Sequence, residues 1–392
     1  MTKGAFEEVR KLPEGLITDE ALEKWKERVG LKLRIGTIFN QLASKDAIRH
    51  FTDSIGDLNP LWSDEEYAKN TRYGRIVAPP AWLHSVFVSW VLQGLPGIQA
   101  FHSGGDWEFY KPVLEGDYIT PECIFTGFDV KRSRFAGKMV LEYQQANYYN
   151  QRNELVASDN LWLVRTERES AREKGKYSKI ELPHPWTEDE LKQIEEEVLA
   201  EQVRGAKTRY WEDVEVGEEL SPLVKGPLTL TDMVCMMIGS NPVNLRGFGA
   251  ALRQYRQHPA WAFRDPASKG LEPILSVHFN IEAARAVGAP YPYDGGFYRH
   301  SLLMQFLTDW MGDEGWLKRN YAVYSRFFYL SDVIWIKGTV VKKYVDENGE
   351  HCVDIKSSAI NQRGEDTMPG ESTVILPSRE KGTWPVSQRL NR

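Results

Sequence analysis

The strongest constraint on the fold is an internal repeat. NQRNELVASDNLWLVR begins at Asn150 and NQRGEDTMPGESTVILPSR begins at Asn361, 211 residues later. Each follows an alternating, strand-like run, LEYQQANYY in one case and VDIKSSAI in the other, and each continues into another apolar strand. The turn between the strands is the same in both: Asn-Gln-Arg, a turn residue, then Glu. A second match, FYKPVLEGDYI around Asp117 and FFYLSDVIWIKG around Asp332, has nearly the same offset, 215 residues. Two matches in one order point to a duplicated unit.

Each unit also carries an apolar segment at helical spacing, AWLHSVFVSWVLQ in the first and FYRHSLLMQFLTDWM in the second. Both are apolar around most of their circumference, which predicts a helix wrapped on most sides. One such helix followed by about four long strands is the expected unit, occurring twice. Between the units, ESAREKGKYSKIELPHPWTEDELKQIEEEVLAEQVRGAK is highly charged, with Thr187 and Glu190 placed as a capping box for a surface helix. The expected layout is an N-terminal unit over residues 1–172, a linker helix over 173–206 and a C-terminal unit over 207–392.

With 392 residues, 42% hydrophobic and 27% charged, the chain can build ordinary packed cores. A net charge of -6 and a pI near 5.9 leave no basic surplus to neutralise phosphates, so neither nucleic acid nor a membrane surface is an expected partner. The most apolar long run, VAPPAWLHSVFVSWVLQGLPG, is broken by a Pro pair and His84 and is too interrupted to span a bilayer. MTKGAFEEVRKLPEGL has no apolar core of the secretory kind, and Cys123, Cys235 and Cys352 lie far apart without metal-type clustering. A reducing cytoplasm, with neither a zinc site nor a disulfide framework, is the expectation. Thirteen Trp, 17 Tyr and 16 Phe leave two readings open: large aromatic cores, or an aromatic-lined pocket with Trp62, Trp82 and Trp107 among its walls.

GDLNPLWSDEEYAKNTRYGRIVAPP, from Gly56, resembles the signature of the MaoC-like hydratase family. That signature runs G-D-x-N-P-x-H, then a short helix ending in Ala and Gly, then a His-Gly pair opening a long helix. Gly56, Asp57, Asn59, Pro60, Ala68 and Gly74 match it, in a half that resembles the FAS1-like dehydratase N-terminal domain. In the second half YWEDVEVGEELSPLVKGPLTLTDM looks like the opening strands of such a domain. VHFNIEAARAVG follows the signature from its His, with His278, Ala284 and Gly288 in step, and YDGGFYRHSLL resembles the helix opening. The resemblance implies an α+β double hotdog: two units, each a long helix wrapped by an antiparallel sheet, paired side by side, with a homo-oligomer left open. It implies the addition or removal of water on an acyl thioester of coenzyme A, with no metal or redox cofactor and coenzyme A only as part of the substrate.

In that family an Asp and a His on one loop handle water and protons, while amides at the long helix's N-terminus bind the thioester oxygen. Here Trp62 stands at the His position of the first half and Pro79-Pro80 at His-Gly, and proline has no N–H to offer. In the second half His278 is in place, but Pro273 replaces the Asp and Asp294-Gly295 replaces His-Gly. The expected catalytic pair is therefore His278 with Asp294, and Gly295 and Gly296 supply the oxyanion donors. Asp57 and Asn59 are also catalytic candidates, and Asp57 or Asp294 would be the base of a thioesterase; plainer roles stay open: a core histidine, a turn residue and, for Asp57 and Asn59, a loop shaped ahead of a helix capped by Ser63 and Glu66. His84 either faces Asp57 or packs. Tyr293, Tyr298 and Arg299 are pocket candidates, Arg299 as partner of Asp294 or of a charged substrate end. Arg132 and Arg134 are either contacts for the phosphates of coenzyme A or a solvated strand end. The favoured function is hydratase or dehydratase of a bulky or aromatic acyl-CoA, the alternatives being a binding partner that has lost catalysis and a hotdog thioesterase.

Overall fold

Alternation of apolar and polar residues puts one face of Leu155–Thr166 and one of His351–Asn361 into a core, and in a computed structural model of the chain both belong to one ten-stranded antiparallel sheet. The structure describes residues 15–36, 38–89, 94–95, 97–133, 137–167, 180–241 and 245–390. The first half supplies β1 (Lys32–Leu33), β3 (Gln99–Phe109), β5 (Thr120–Ser133), β6 (Gly137–Tyr149) and β7 (Leu155–Thr166) to that sheet. The second supplies β8 (Leu223–Lys225), β11 (Trp316–Val323), β12 (Ile334–Val345), β13 (His351–Asn361) and β14 (Gly370–Ile375). Two short ribbons stand apart, β2 (Val77–Ala78) with β4 (Val113–Leu114) and β9 (Ala262–Arg264) with β10 (Leu271–Pro273).

The order across the large sheet, β1-β5-β6-β7-β3-β11-β14-β13-β12-β8, is palindromic, and β3 meets β11 at its middle. Asp106 lies directly opposite Tyr321 in that seam, and Arg319 clamps Asp106 with two hydrogen bonds of 2.7 and 2.8 Å. The repeated turns also fold alike. Asn150 Oδ1 accepts the amides of Arg152 and Glu154, and Asn361 Oδ1 accepts those of Arg363 and Glu365. Gln151 then donates to Asp117 at 2.8 Å and Gln362 to Asp332 at 2.6 Å, so the two sequence matches in each half meet in space.

In the second half the expected helix forms over Gly296–Met311, with every residue from Phe297 onward buried. It packs on β3 and β11, and glycines admit its rings and methyls: Gly338 of β12 lies under Phe306 and Gly370 of β14 under Leu303. Burial of Phe297, Leu302, Leu303, Phe306 and Leu307, each worth about 1.5–3 kcal/mol, offsets the cost of enclosing Arg299, His300, Gln305 and Asp309 on the same helix.

The first half departs from expectation. Its apolar segment makes only a six-residue 3-10 turn, Pro80–Ser85, followed by irregular backbone to residue 89, and Trp90 to Gln93 lie outside the described residues. Pro79 and Pro80 supply no N–H to a first helical turn, and the β-branched Val86 and Val88 are poor helix formers. The linker helix, Glu188–Leu199, has the expected Thr187–Glu190 capping box. The helix after the signature loop is capped differently from expectation: Asp64, not Ser63, accepts the amides of Glu66 and Tyr67. Among the described residues no helix is long and apolar enough to cross a membrane, and no group of three His, Cys, Asp or Glu side chains is placed to hold a metal ion.

Candidate functional site

The signature loop of the first half starts at Gly56, whose left-handed backbone (φ 63°) ends the helix Lys45–Ile55. Asp57 is then occupied on both oxygens. Oδ1 accepts the Asn59 amide at 3.0 Å, and Oδ2 accepts the indole N–H of Trp62 at 3.0 Å. Asn59 Oδ1 in turn accepts the Leu61 amide, which starts the turn Pro60–Trp62. These are the loop-shaping roles left open by the sequence. Burial pushes the Asp57 carboxyl above its ordinary range, against the pull of the Asn59 amide.

This loop docks on the far end of the second half's central helix. Gly56 O accepts from Gln305 Nε2 at 3.1 Å and from Lys225 Nζ at 3.0 Å, and Asn59 Nδ2 donates to Asp313 at 3.3 Å. Asp309, one turn beyond Gln305, has both carboxyl oxygens buried without a hydrogen-bond partner among the described residues. Desolvation, then the nearby Asp57 and Glu201, pushes its pKa up. On this side of the molecule Trp62 fills the imidazole position of the signature, and Pro79 and Pro80 stand at the 3-10 turn.

The second half differs at both positions. His278 ends the turn Ile274–His278, and its Nδ1 lies 2.7 Å from the carbonyl of Tyr293. A carbonyl can only accept, so the hydrogen sits on Nδ1 and Nε2 carries the lone pair. The ring stands edge-on to Tyr293 (5.2 Å, 76°), and desolvation lowers its pKa to about 4, so it is neutral at pH 7. Asp294 follows Tyr293 directly. Its Oδ2 accepts Arg299 Nε at 2.7 Å in a fully buried ion pair, and Arg299 also donates to the carbonyl of Thr367. Asp294 Oδ1 is buried without a hydrogen-bond partner among the described residues, and desolvation raises the carboxyl to about 6. Gly295 is the N-cap of the central helix, and the amides of Gly295 and Gly296 find no acceptor among the described residues.

His278 and Asp294 are thus neighbours anchored separately, and no hydrogen bond joins them; the partner fixing the histidine's tautomer is a backbone carbonyl. Arg299 is the partner of Asp294. His84 faces the central helix rather than Asp57: its Nδ1 contacts Ser301 Oγ at 2.9 Å, and its ring lies 5.8 Å from that of His300. Tyr293 is buried against His278 and Phe327, whereas Tyr298 turns its hydroxyl toward Ser54 O of the first half, at 3.5 Å. Trp62, Trp82 and Trp107 are buried core side chains. Arg134 and the side chain of Arg132 lie outside the described residues. Two residues not singled out in the sequence stand by the helix: His300, whose Nδ1 lies 2.9 Å from the hydroxyl of Tyr324, and Tyr324 itself. The shared His-Ser dipeptide of the two apolar segments, 84–85 and 300–301, was the available signal for His300.

The architecture is a double hotdog. A solved MaoC-like dehydratase superposes with a TM-score of 0.62 over 90% of this chain and 99% of its own, at 18% identity. A putative MaoC domain dehydratase from Chloroflexus aurantiacus (TM-score 0.57, 16% identity, 90% and 96% covered) and a Mycobacterium tuberculosis double-hotdog protein (0.53, 10%, 89% and 96%) have the same fold. Residues 34–159 match the FAS1-like dehydratase domain region, and the fold is the one shared by these solved structures. Among curated relatives, a UPF0336 protein of Streptomyces avermitilis is 30% identical over 83 residues, 19% of this chain and 55% of that one. A probable enoyl-CoA hydratase alpha subunit of Thermomonospora curvata is 24% identical over 161 residues, 35% and 49%. The chain therefore spans about half the length of the curated relatives it matches.

Proposed function

We propose that this protein is a hydratase or dehydratase of an enoyl-CoA or 3-hydroxyacyl-CoA with a bulky or aromatic acyl group, working at the second-half site in the cytoplasm. The observation that carries the proposal is the juxtaposition at the head of the central helix: two glycine amides without an acceptor among the described residues, beside a histidine whose hydrogen sits on Nδ1 and whose lone pair is on Nε2. The amides lie at the positive end of a sixteen-residue buried helix and would bind the thioester oxygen as charge develops on it. His278 Nε2 would take a proton from water attacking Cβ, and Asp294 Oδ1, ionised at neutral pH, would accept the water's other hydrogen and aim it. A relative named as an enoyl-CoA hydratase subunit supports the same chemistry.

The test is mass spectrometry of the purified protein with aliphatic and aromatic enoyl-CoA thioesters in heavy-oxygen water. A substrate-specific gain of one labelled water on an intact thioester supports hydration, and release of free acid alone would replace it with thioester hydrolysis. One observation favours a second reading, a thioester-binding partner without turnover: Asp57, the best-matched signature residue, is fully engaged by Asn59 and Trp62. Thioester binding with no change across the whole panel would select it.

A further inference from the structure

Hydration also requires an acid for Cα. At neutral pH the second-half site offers a neutral imidazole with its hydrogen tied to Tyr293 O, an Arg299–Asp294 ion pair and two amides, and none of these has a proton to give. Beside the helix head stands a neutral hydroxyl, that of Tyr324. Its ring lies over Gly296 so closely that a Cβ at that residue would come within 2.1 Å of the ring, so only glycine fits there. The Tyr324 amide is pinned to Ser103 O across the β3–β11 seam at 2.9 Å, and the ring is held edge-on between His102 (5.1 Å) and His300 (5.7 Å). The hydroxyl lies 2.9 Å from His300 Nδ1, one turn down the helix from the amides. Burial, and then the charge of Asp159, hold this hydroxyl well above the ordinary phenol range, with Arg299 pulling it down and Asp294 pushing it up, so it keeps its proton at neutral pH. The side chain is only half-buried, whereas His300 is fully enclosed and its Nε2 is unpartnered among the described residues.

We propose that Tyr324 is the acid of this site, donating its phenolic proton to Cα, and that His300 is its positioning residue. The inference rests on the hydratase reading. As the water oxygen bonds to Cβ, its proton passes to His278 Nε2. The electron pair of the Cα–Cβ double bond takes the proton of Tyr324, leaving a phenolate. His300, in the tautomer with hydrogen on Nδ1, donates to that phenolate oxygen, and the proton held on His278 returns to Tyr324 through solvent, closing the cycle without any further reactant. The shape of the pair suits the task, since the ring is fixed by Gly296 and His102 while the hydroxyl alone rotates.

The experiment uses Tyr324→Phe, which keeps the ring over Gly296, and His300→Gln, in the full chain. Two reactions are followed: hydration of cinnamoyl-CoA and decenoyl-CoA, and exchange of the α-hydrogens of saturated 3-phenylpropanoyl-CoA and decanoyl-CoA into heavy water. Expected for Tyr324→Phe is a fall in kcat of at least about a hundredfold at unchanged KM and unchanged melting temperature, with α-exchange abolished. His300→Gln is expected to lower kcat less and to respond in parallel when a ring-fluorinated tyrosine, a stronger acid, replaces Tyr324; a merely structural tyrosine would show no such dependence on phenol acidity. Wild-type rates of both reactions in Tyr324→Phe would overturn the inference and leave the hydratase reading standing. Exchange lost in the variant but no hydration by the wild-type protein would support Tyr324 and overturn hydration. Neither reaction in the wild-type protein would overturn both.

Discussion

The indole N–H of Trp62 donates to Oδ2 of Asp57 at 3.0 Å, so the partner of the signature carboxylate can give a hydrogen bond but cannot take a proton. Trp62→Phe should leave that oxygen buried and unsatisfied, at a cost of about 1–3 kcal/mol in urea unfolding, with turnover unchanged. Trp62→His restores an imidazole to the loop but not the amides that Pro79 and Pro80 lack. Turnover no greater than wild type is expected, and a second active site appearing in that variant would contradict the assignment of chemistry to the second half.

Removal of the proposed base is a sharper test. His278→Ala deletes one hydrogen bond, to Tyr293 O, and should cost about 1 kcal/mol of stability while lowering kcat by about a hundredfold to ten-thousandfold. Circular dichroism with steady-state kinetics separates the two effects.

The ion pair of Arg299 with Asp294 is enclosed at both ends. Arg299→Met leaves a buried carboxylate without its counter-charge, and a loss of about 3–5 kcal/mol is expected. Asp294→Leu in the same chain should restore much of that loss. A double-mutant cycle in denaturant measures the coupling, and additive single effects would show that the two residues do not depend on each other.

Two groups at the site should tilt stability in opposite directions with pH. His278 falls from 6.5 to about 4, so between those values the unfolded chain binds its proton more tightly; this contribution is complete above 6.5 and is lost as the pH falls toward 4. Asp294 rises from 3.8 to about 6, so the folded chain binds its proton more tightly; that contribution is complete below 3.8 and is lost as the pH rises through 6. Denaturant titrations across this range should therefore show a loss toward acid pH in Asp294→Asn, which retains only the histidine effect, and a gain toward acid pH in His278→Leu, which retains only the carboxyl effect. In turnover, kcat/KM should rise as Asp294 ionises near pH 6, with no step at 6.5 from His278.

Much of this was legible in the sequence because it depended on local pattern. The turn residues Asn150 and Asn361, the capping box of Thr187 and Glu190, and the apolar segment that became Gly296–Met311 carry their geometry in adjacent residues. The strand alternation and the two matched turns gave the sheet, since each needs only side-chain period and turn chemistry. The first half's helix failed for a competing local reason, two prolines and β-branched valines in an otherwise apolar run. The cap at Asp64 rather than Ser63 is a one-residue choice between two good capping side chains. The site was legible only in part. The resemblance put His278 and Asp294 at one pocket, but whether the imidazole donates its hydrogen to a carboxylate or to a carbonyl depends on backbone direction at Tyr293. Tyr324 reaches the helix head only because β11 pairs with β3, a contact between residues more than 200 positions apart that no window of sequence contains.

That same pairing means the two units share their innermost edge and have no surface of separation. Either unit produced alone would end in a bare strand, β3 or β11, with a full row of amides and carbonyls facing water. Each lone unit is then expected to associate with a second copy of itself along that strand, recreating the centre now held by Asp106 and Tyr321. In the intact chain this adhesive edge is satisfied from within, so each half serves as the cover for the other's innermost strand.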